Sequence, residues 1–328
     1  MSEASAKPGI VVIGSPRSGT TLVRRILDAH PNIACPPETY LLSAAARFLH
    51  QDRFAAGLRI GVLDGLSFAG FEEDEVLERL RAMVFGFLRE YASKAGKPRW
   101  AEKTAFDAFH LGPIRRLCEG HVKFVCIHRH GLDVAASLHD LVTKTGGYVD
   151  ELHAYLRREP EPLVALAHAW IDTASAIADL VDELGSAPEP SAISLRYEDL
   201  TAEPEAEMRR VFEFLDEPWD DELLARALAV TGGFGFGDWK TYAKPKIDRS
   251  SVGRWEDLPM PVQSRLGLLC NPTLARLGYE PIELDDDDLD IDPEDARSRY
   301  QMGLQFNRMR QAKAQAASDE TANSDEPA

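Results

Sequence analysis

The chain has 328 residues, 44% hydrophobic and 28% charged, enough apolar content for a buried core under an ordinary polar surface. Its formal net charge of −17 argues against a general binder of nucleic acid or of an anionic membrane. No apolar run reads as a membrane span, the opening MSEASAKPG has no signal-peptide pattern, and the four cysteines form neither a C-x-x-C pair nor a zinc spacing, so reduced thiols in a cytoplasmic protein are expected.

In chain order, GIVVIGS is a short β-branched run ending in glycine, which predicts a buried strand. TTLVRRILDAH follows at helical spacing, with Leu22, Ile26 and Ala29 on one face, and Pro31 ends it. Between the two, Gly14 and Gly19 have the G-x-x-x-x-G separation of a phosphate loop, in the strand, turn and helix context that such a loop requires. Thr21 holds the hydroxyl place, yet Thr20 stands where nucleotide hydrolases have lysine, and the only cation inside the loop is Arg17. Residues 41–98 read as helices, the longest being EDEVLERLRAMVFGFLREYASKAG, closed by Gly96 and Pro98. PRWAEKT and VKFVCIHRH read as strands, GLDVAASLHDLV as a helix, and residues 163–185 as a longer one. SAISLRYEDL reads as a further strand and EPEAEMRRVFEFLDEP as a capped helix.

Strands alternating with helices predict an α/β fold, a mostly parallel central sheet with helices on both faces and its ligand crevice beyond the carboxyl ends of the strands. One domain is expected over residues 8–283. An acidic linker and surface helix (284–317) and a disordered tail (318–328) follow, and twelve acidic against five basic residues lie from Leu284 onward.

Amides of a glycine-rich turn at a helix start bind a phosphate whatever else is attached to it. The missing lysine normally reaches the β- and γ-phosphates, and no apolar strand ends in a metal-holding aspartate, so nucleotide hydrolysis fits poorly. A P-loop small-molecule kinase, which would need Mg²⁺ and ATP, is the weaker alternative. A donor with one 5′ phosphate and a further anionic group to transfer fits better. Taken alone, the loop spacing is a common turn and Arg129 a solvated strand-end charge.

PRSGTTL together with HRHGLDVAASL resembles the sulfotransferases that use 3′-phosphoadenosine-5′-phosphosulfate (PAPS), whose P-loop fold has three layers. The similarity is greatest to tyrosylprotein sulfotransferases and their bacterial relatives. It runs through GSPRSGTTLVRRILDAHPNIACPPET, EKT, HRHGLDVAASL, LRYEDL, KIDRS and LARLGYEP, within residues 13–281. The resemblance implies that Pro16, Arg17, Ser18, Gly19, Thr20 and Thr21 hold the 5′-phosphosulfate. It implies that Arg129 and Ser137, with Asp133 between them, hold the 3′-phosphate, and that Tyr197 meets the nucleotide. Arg17 and Lys103 would flank the bridging oxygen of the donor, and Ser250 would contact the phosphosulfate. Arg254, in VGRW, would add a phosphate contact, although the spacing there departs from the tyrosylprotein pattern.

Many small-molecule sulfotransferases place a basic histidine two residues after the lysine of a KTH motif. That position is Ala105 here, so Glu38 is implied as the general base. The resemblance further implies PAPS as donor, 3′-phosphoadenosine-5′-phosphate (PAP) as product and no metal. The acceptor hydroxyl would come from a protein tyrosine, a carbohydrate or a small molecule. Of the paired cysteines of secreted relatives, Cys35 falls near one position and Ala101 near the other. His128, His130, His139 and the Asp285–Asp288 run are given no role. A PAPS-binding sensor without transfer is the other function class, and the joint presence of Arg17, Glu38, Lys103 and Ser250 speaks against it. A second copy of the chain, in a homodimer, is a further candidate partner.

Overall fold

The structure, a computed structural model, describes residues 7–54, 57–145, 149–159, 161–229, 246–284 and 309. In chain order the elements are β1 (Gly9–Ile13), α1 (Thr20–Asp28), β2 (Ile33–Ala34), α2 (Leu41–Phe48), β3 (Gln51–Arg53), β4 (Arg59–Gly61), α3 (Val62–Phe68) and α4 (Glu73–Lys94). Next come β5 (Arg99–Glu102), a 3₁₀ segment (Ala105–His110), α5 (Leu111–Cys118), β6 (Val122–His128), α6 (Gly131–Thr145), α7 (Asp150–Arg158) and α8 (Pro162–Gly185). The remainder are β7 (Ala192–Arg196), α9 (Tyr197–Ala202), α10 (Pro204–Phe214), α11 (Leu223–Ala229), a second 3₁₀ segment (Arg254–Asp257) and α12 (Met260–Arg276).

Contacts group the chain into two units, Met1–Arg129 with Tyr148–Ala154 and Asp172–Arg249, and His130–Gly147 with Tyr155–Ile171 and Ser250–Ala328. The first contains a five-stranded sheet of order β2-β5-β1-β6-β7. Each neighbouring pair is parallel. The strand side-chain period of two divides the core. Val11 and Ile13 of β1, with Phe124 and Cys126 of β6, face a cluster that includes Leu42, Val84, Leu88 and Ile114 from α2, α4 and α5. Ile10, Val12, Val125 and Ile127 face the opposite cluster, with Val23 and Ile26 of α1 and Val211 and Phe212 of α10. Helices thus cover both sheet faces, as the near-continuous apolar strands predict.

In the second unit, the ring of Trp170 fills the space a side chain at Gly131 would need. His130 stacks on Trp255 at 4.9 Å and meets Tyr279 edge-on at 5.4 Å. That histidine is a packing residue.

Four sequence readings need correction. Residues 41–98 are not all helical: β3 and β4 form an antiparallel hairpin, with Asp52 opposite Ile60. Their exposed, polar QDR and RIG segments carry no apolar alternation to signal them. The YEDL of SAISLRYEDL begins α9 rather than extending β7. Helix α10 has no side-chain cap bond at Glu203; Pro204 in its first turn, with φ already near the helical value, opens it. Finally, α8 is long and apolar enough to cross a membrane, with a window of mean hydropathy 1.3, but 61% of that window is buried in the fold. The linker, helix and tail expected over 284–328 lie outside the described residues, apart from Leu284 and Met309.

A Cβ added at Gly9 would lie 2.1 Å from Cζ2 of the buried Trp100. Gly9→Ala is therefore expected to overpack the joint between β1 and β5 and cost about 1–3 kcal/mol. A lower urea midpoint at unchanged slope is the expected reading; an unchanged midpoint would show that Trp100 moves aside freely.

Candidate active site

Parallel strands bring their carboxyl ends to one edge, and the order in which they do so here is chemically informative. Read across the sheet, β2 leads to Glu38, β5 to Lys103, β1 to the 14–21 loop, β6 to Arg129 and β7 to Tyr197. These positions are far apart in sequence, and strand order makes them neighbours.

The loop is tightly constrained. A Cβ at Gly14 would meet Ile127 at 2.7 Å and Thr20 at 2.9 Å. At Gly19, whose φ is 98°, it would strike the Tyr197 ring at 2.4 Å. Arg17 is also left-handed, at φ 74°, a conformation that a side chain other than glycine holds only when its surroundings enforce it. The Ser18 amide donates to the Ser15 carbonyl at 3.0 Å, and the Leu22 amide to Gly19 at 2.9 Å. Ser15 Oγ is bonded to the Thr173 hydroxyl at 2.7 Å.

Helix α1 has no side-chain cap and no acidic residue in its first turn. Its positive end is thus uncompensated from within the helix, and Ser18 Oγ is buried with no hydrogen-bond partner. These features fit an anion. Beside the loop, Arg129 donates to the Arg17 carbonyl at 2.9 Å, and its guanidinium lies 4.8 Å over the Tyr197 ring.

Glu38 and Lys103 meet directly. Lys103 Nζ is 2.6 Å from Glu38 Oε1, with the two side chains 1% and 6% exposed. Nζ also reaches Thr21 Oγ1 at 3.5 Å. Arg24, on α1, holds the approach to Glu38 by donating to the carbonyls of Cys35 at 3.2 Å and Pro36 at 3.1 Å. Cys35 is buried and carries a free thiol, whose pKa burial pushes up.

Two residues passed over in the sequence belong to this neighbourhood. Glu102 is 0% exposed, and burial pushes its carboxyl up to about 7. Asp107, equally buried, is held well above the usual range, first by burial and then by the charge of Glu102. It accepts a hydrogen bond from Ser43. The signal available in the sequence is an acidic residue at the end of a buried strand and another in its 3₁₀ continuation.

Ser137, Ser250 and Arg254 belong to the second unit. Ser137 is buried on α6, while Ser250 is exposed in a turn. Arg254 is bonded to Asp140 at 3.0 Å. Asp133 accepts from the amides of Gly253 and Trp255, both at 3.0 Å, and so fixes the VGRW turn.

Glu102 generates a stability prediction with a definite sign. The fold keeps its proton to about 7, against an ordinary value of 4.5. Between these values the native state binds more protons than the unfolded chain, so this contribution to stability is full below the lower value and is lost as pH rises through the upper. Glu102→Gln removes the slope. Relative to the native chain it should gain on the order of 3 kcal/mol between pH 4.5 and 7.5. Parallel stability curves in denaturant titrations over that range would refute the raised value.

The model of the Sulfotransferase family matches residues 8–221. Protein-tyrosine sulfotransferase A of Caenorhabditis elegans is 26% identical over 280 residues, covering 84% of this chain and 68% of that protein. Protein-tyrosine sulfotransferase 1 of Danio rerio is 28% identical over 287 residues, covering 84% and 73%. The solved sulfotransferase domain from the curacin biosynthetic pathway shares the fold, with a TM-score of 0.55 at 23% identity, over 84% of this chain and 100% of that one. The matched span takes in the phosphate loop, Glu38, Lys103, Arg129, Ser137 and Tyr197, and the chain belongs to the sulfotransferase family of transferase enzymes.

Proposed function

We propose that the chain moves the sulfuryl group of PAPS to an acceptor hydroxyl, with Glu38 as general base. The observation that carries this is the order of groups along the carboxyl edge of the sheet: carboxylate, buried ammonium, phosphate loop, guanidinium, aromatic ring. It is the order needed by a donor that offers a sulfuryl group at one end and a phosphorylated nucleoside at the other.

PAPS supplies a sulfur centre open to in-line displacement and a phosphate as leaving group. The chain's residues do the rest. Loop amides and Lys103 would stabilise the charge that grows on the departing oxygen, and donors fixed in place before the reaction do so most effectively. Arg129, braced by Arg17 and Tyr197, is suited to a second phosphate. The Lys103 ammonium has three N–H donors, so it can keep Glu38 at 2.6 Å and still offer a hydrogen bond to the leaving oxygen. A tyrosine phenol is the first acceptor to test, since both named relatives are protein-tyrosine sulfotransferases.

Glu38→Gln keeps shape while removing proton affinity. Turnover on an alcohol should fall ~10²–10⁴-fold with PAP affinity intact, and a phenol already ionised at assay pH should recover part of the loss. Wild-type turnover in that variant would place the base elsewhere. Arg129→Ala should weaken PAP by about 1.5–3 kcal/mol yet leave adenosine 5′-phosphate nearly unaffected in calorimetry. Equal losses for both nucleotides would remove Arg129 from the 3′-phosphate.

A further inference from the structure

The residues that follow Glu38 and Lys103 in the chain are tied to each other through Glu102. Oε1 of this fully buried carboxyl accepts the Thr39 hydroxyl at 2.9 Å and the Thr104 hydroxyl at 2.8 Å. The same two hydroxyl oxygens accept backbone amides, Leu41 N–H on Thr39 at 3.2 Å and Tyr40 N–H on Thr104 at 3.1 Å. Tyr40 is left-handed at φ 57°, and α2 starts after it with no side-chain cap. A non-glycine residue stays in that conformation only where neighbouring bonds fix it. The four bonds around Glu102 are those bonds. They join the turn that carries the carboxylate to the strand end that carries the ammonium.

We propose that Glu102 is a positioning residue of the transfer reaction, its carboxyl clamping the 38–41 turn against the end of β5 and so setting the Glu38–Lys103 contact. The proposal rests on the reading of Glu38 as base. Burial disfavours the charged form strongly enough to push this carboxyl up to about 7, so what the clamp needs is an acceptor oxygen for the two hydroxyls rather than a negative charge. A neutral amide could take the same two hydroxyl bonds on its oxygen.

The test compares Glu102→Ala, Glu102→Gln and Thr39→Val in the full chain. Glu102→Ala should lower turnover on the order of 10²-fold, the typical effect of misplacing a reacting group by about 1 Å, with PAP affinity unchanged. Glu102→Gln should restore most of that turnover, and Thr39→Val should lose part of it. Where Glu102→Ala fails to fold, Thr39→Val carries the comparison. In a Glu38→Gln background, Glu102→Ala should add no further loss; a full multiplicative loss, or a Gln variant as slow as Ala, overturns the proposal. Should Glu38→Gln itself run at the wild-type rate, the base reading fails, and crystal structures decide the positioning claim separately. There, a broken Glu38–Lys103 contact in Glu102→Ala supports it, and a contact kept at 2.6 Å overturns it.

Discussion

The buried contact between Glu38 and Lys103 is the constraint on which the rest of the site depends. Desolvating two ions costs several kcal/mol each, and their attraction offsets this only when geometry is good and the surroundings are well bonded. Both halves are supplied from the frame. Arg24 reaches from α1 to hold the two carbonyls of the segment entering Glu38. Lys103 arrives from β5, lodged between β2 and β1, so the sheet decides which carboxylate it faces. Loss of either partner would leave a buried charge uncompensated, which explains why a site on a short loop needs so much structure behind it.

The same contact accounts for the phosphate loop's departure from the usual pattern. Thr20 occupies the lysine position, yet a lysine is present: Lys103 Nζ lies 3.5 Å from Thr21 Oγ1, beside the loop rather than within it. A cation mounted on a neighbouring strand end can meet a departing oxygen without travelling on the loop backbone. Arg129 extends the logic one strand further, bonded to the Arg17 carbonyl and resting on Tyr197. A net charge of −17 is compatible with such a local gathering of cations, because fixed cations and helix-end amides act over a few ångströms.

Much of this was legible in the sequence because the signals were local. The apolar runs of β1 and β6, the helical spacing of α1 and the glycine separation each sit within a dozen residues. Strand alternation then settles which side of each strand faces which core. What escaped depends on distance in sequence or on weak patterning. Thr39 and Glu102 are 63 positions apart and joined by one hydrogen bond, so no periodicity foretells it. The β3–β4 hairpin is short and exposed, with no buried face to impose a period of two. Ser250 and Arg254 follow the span matched to the family, and in the structure Arg254 is engaged by Asp140.

Two carboxyl groups, Glu38 and Glu102, lie near the ammonium of Lys103, and a third, Asp107, lies near both of them. All three ionised would leave an uncompensated excess of negative charge in the interior. Burial pushes Glu102 up to about 7 and Asp107 well above its ordinary value, so both hold their protons more tightly than an exposed carboxyl does. Glu38 is the one with the ammonium at contact distance, 2.6 Å from Oε1. Depth separates the three: Glu102, on a central strand, and Asp107, in the 3₁₀ segment just beyond it, are fully buried, while Glu38, on the loop after an edge strand, keeps a small exposed fraction.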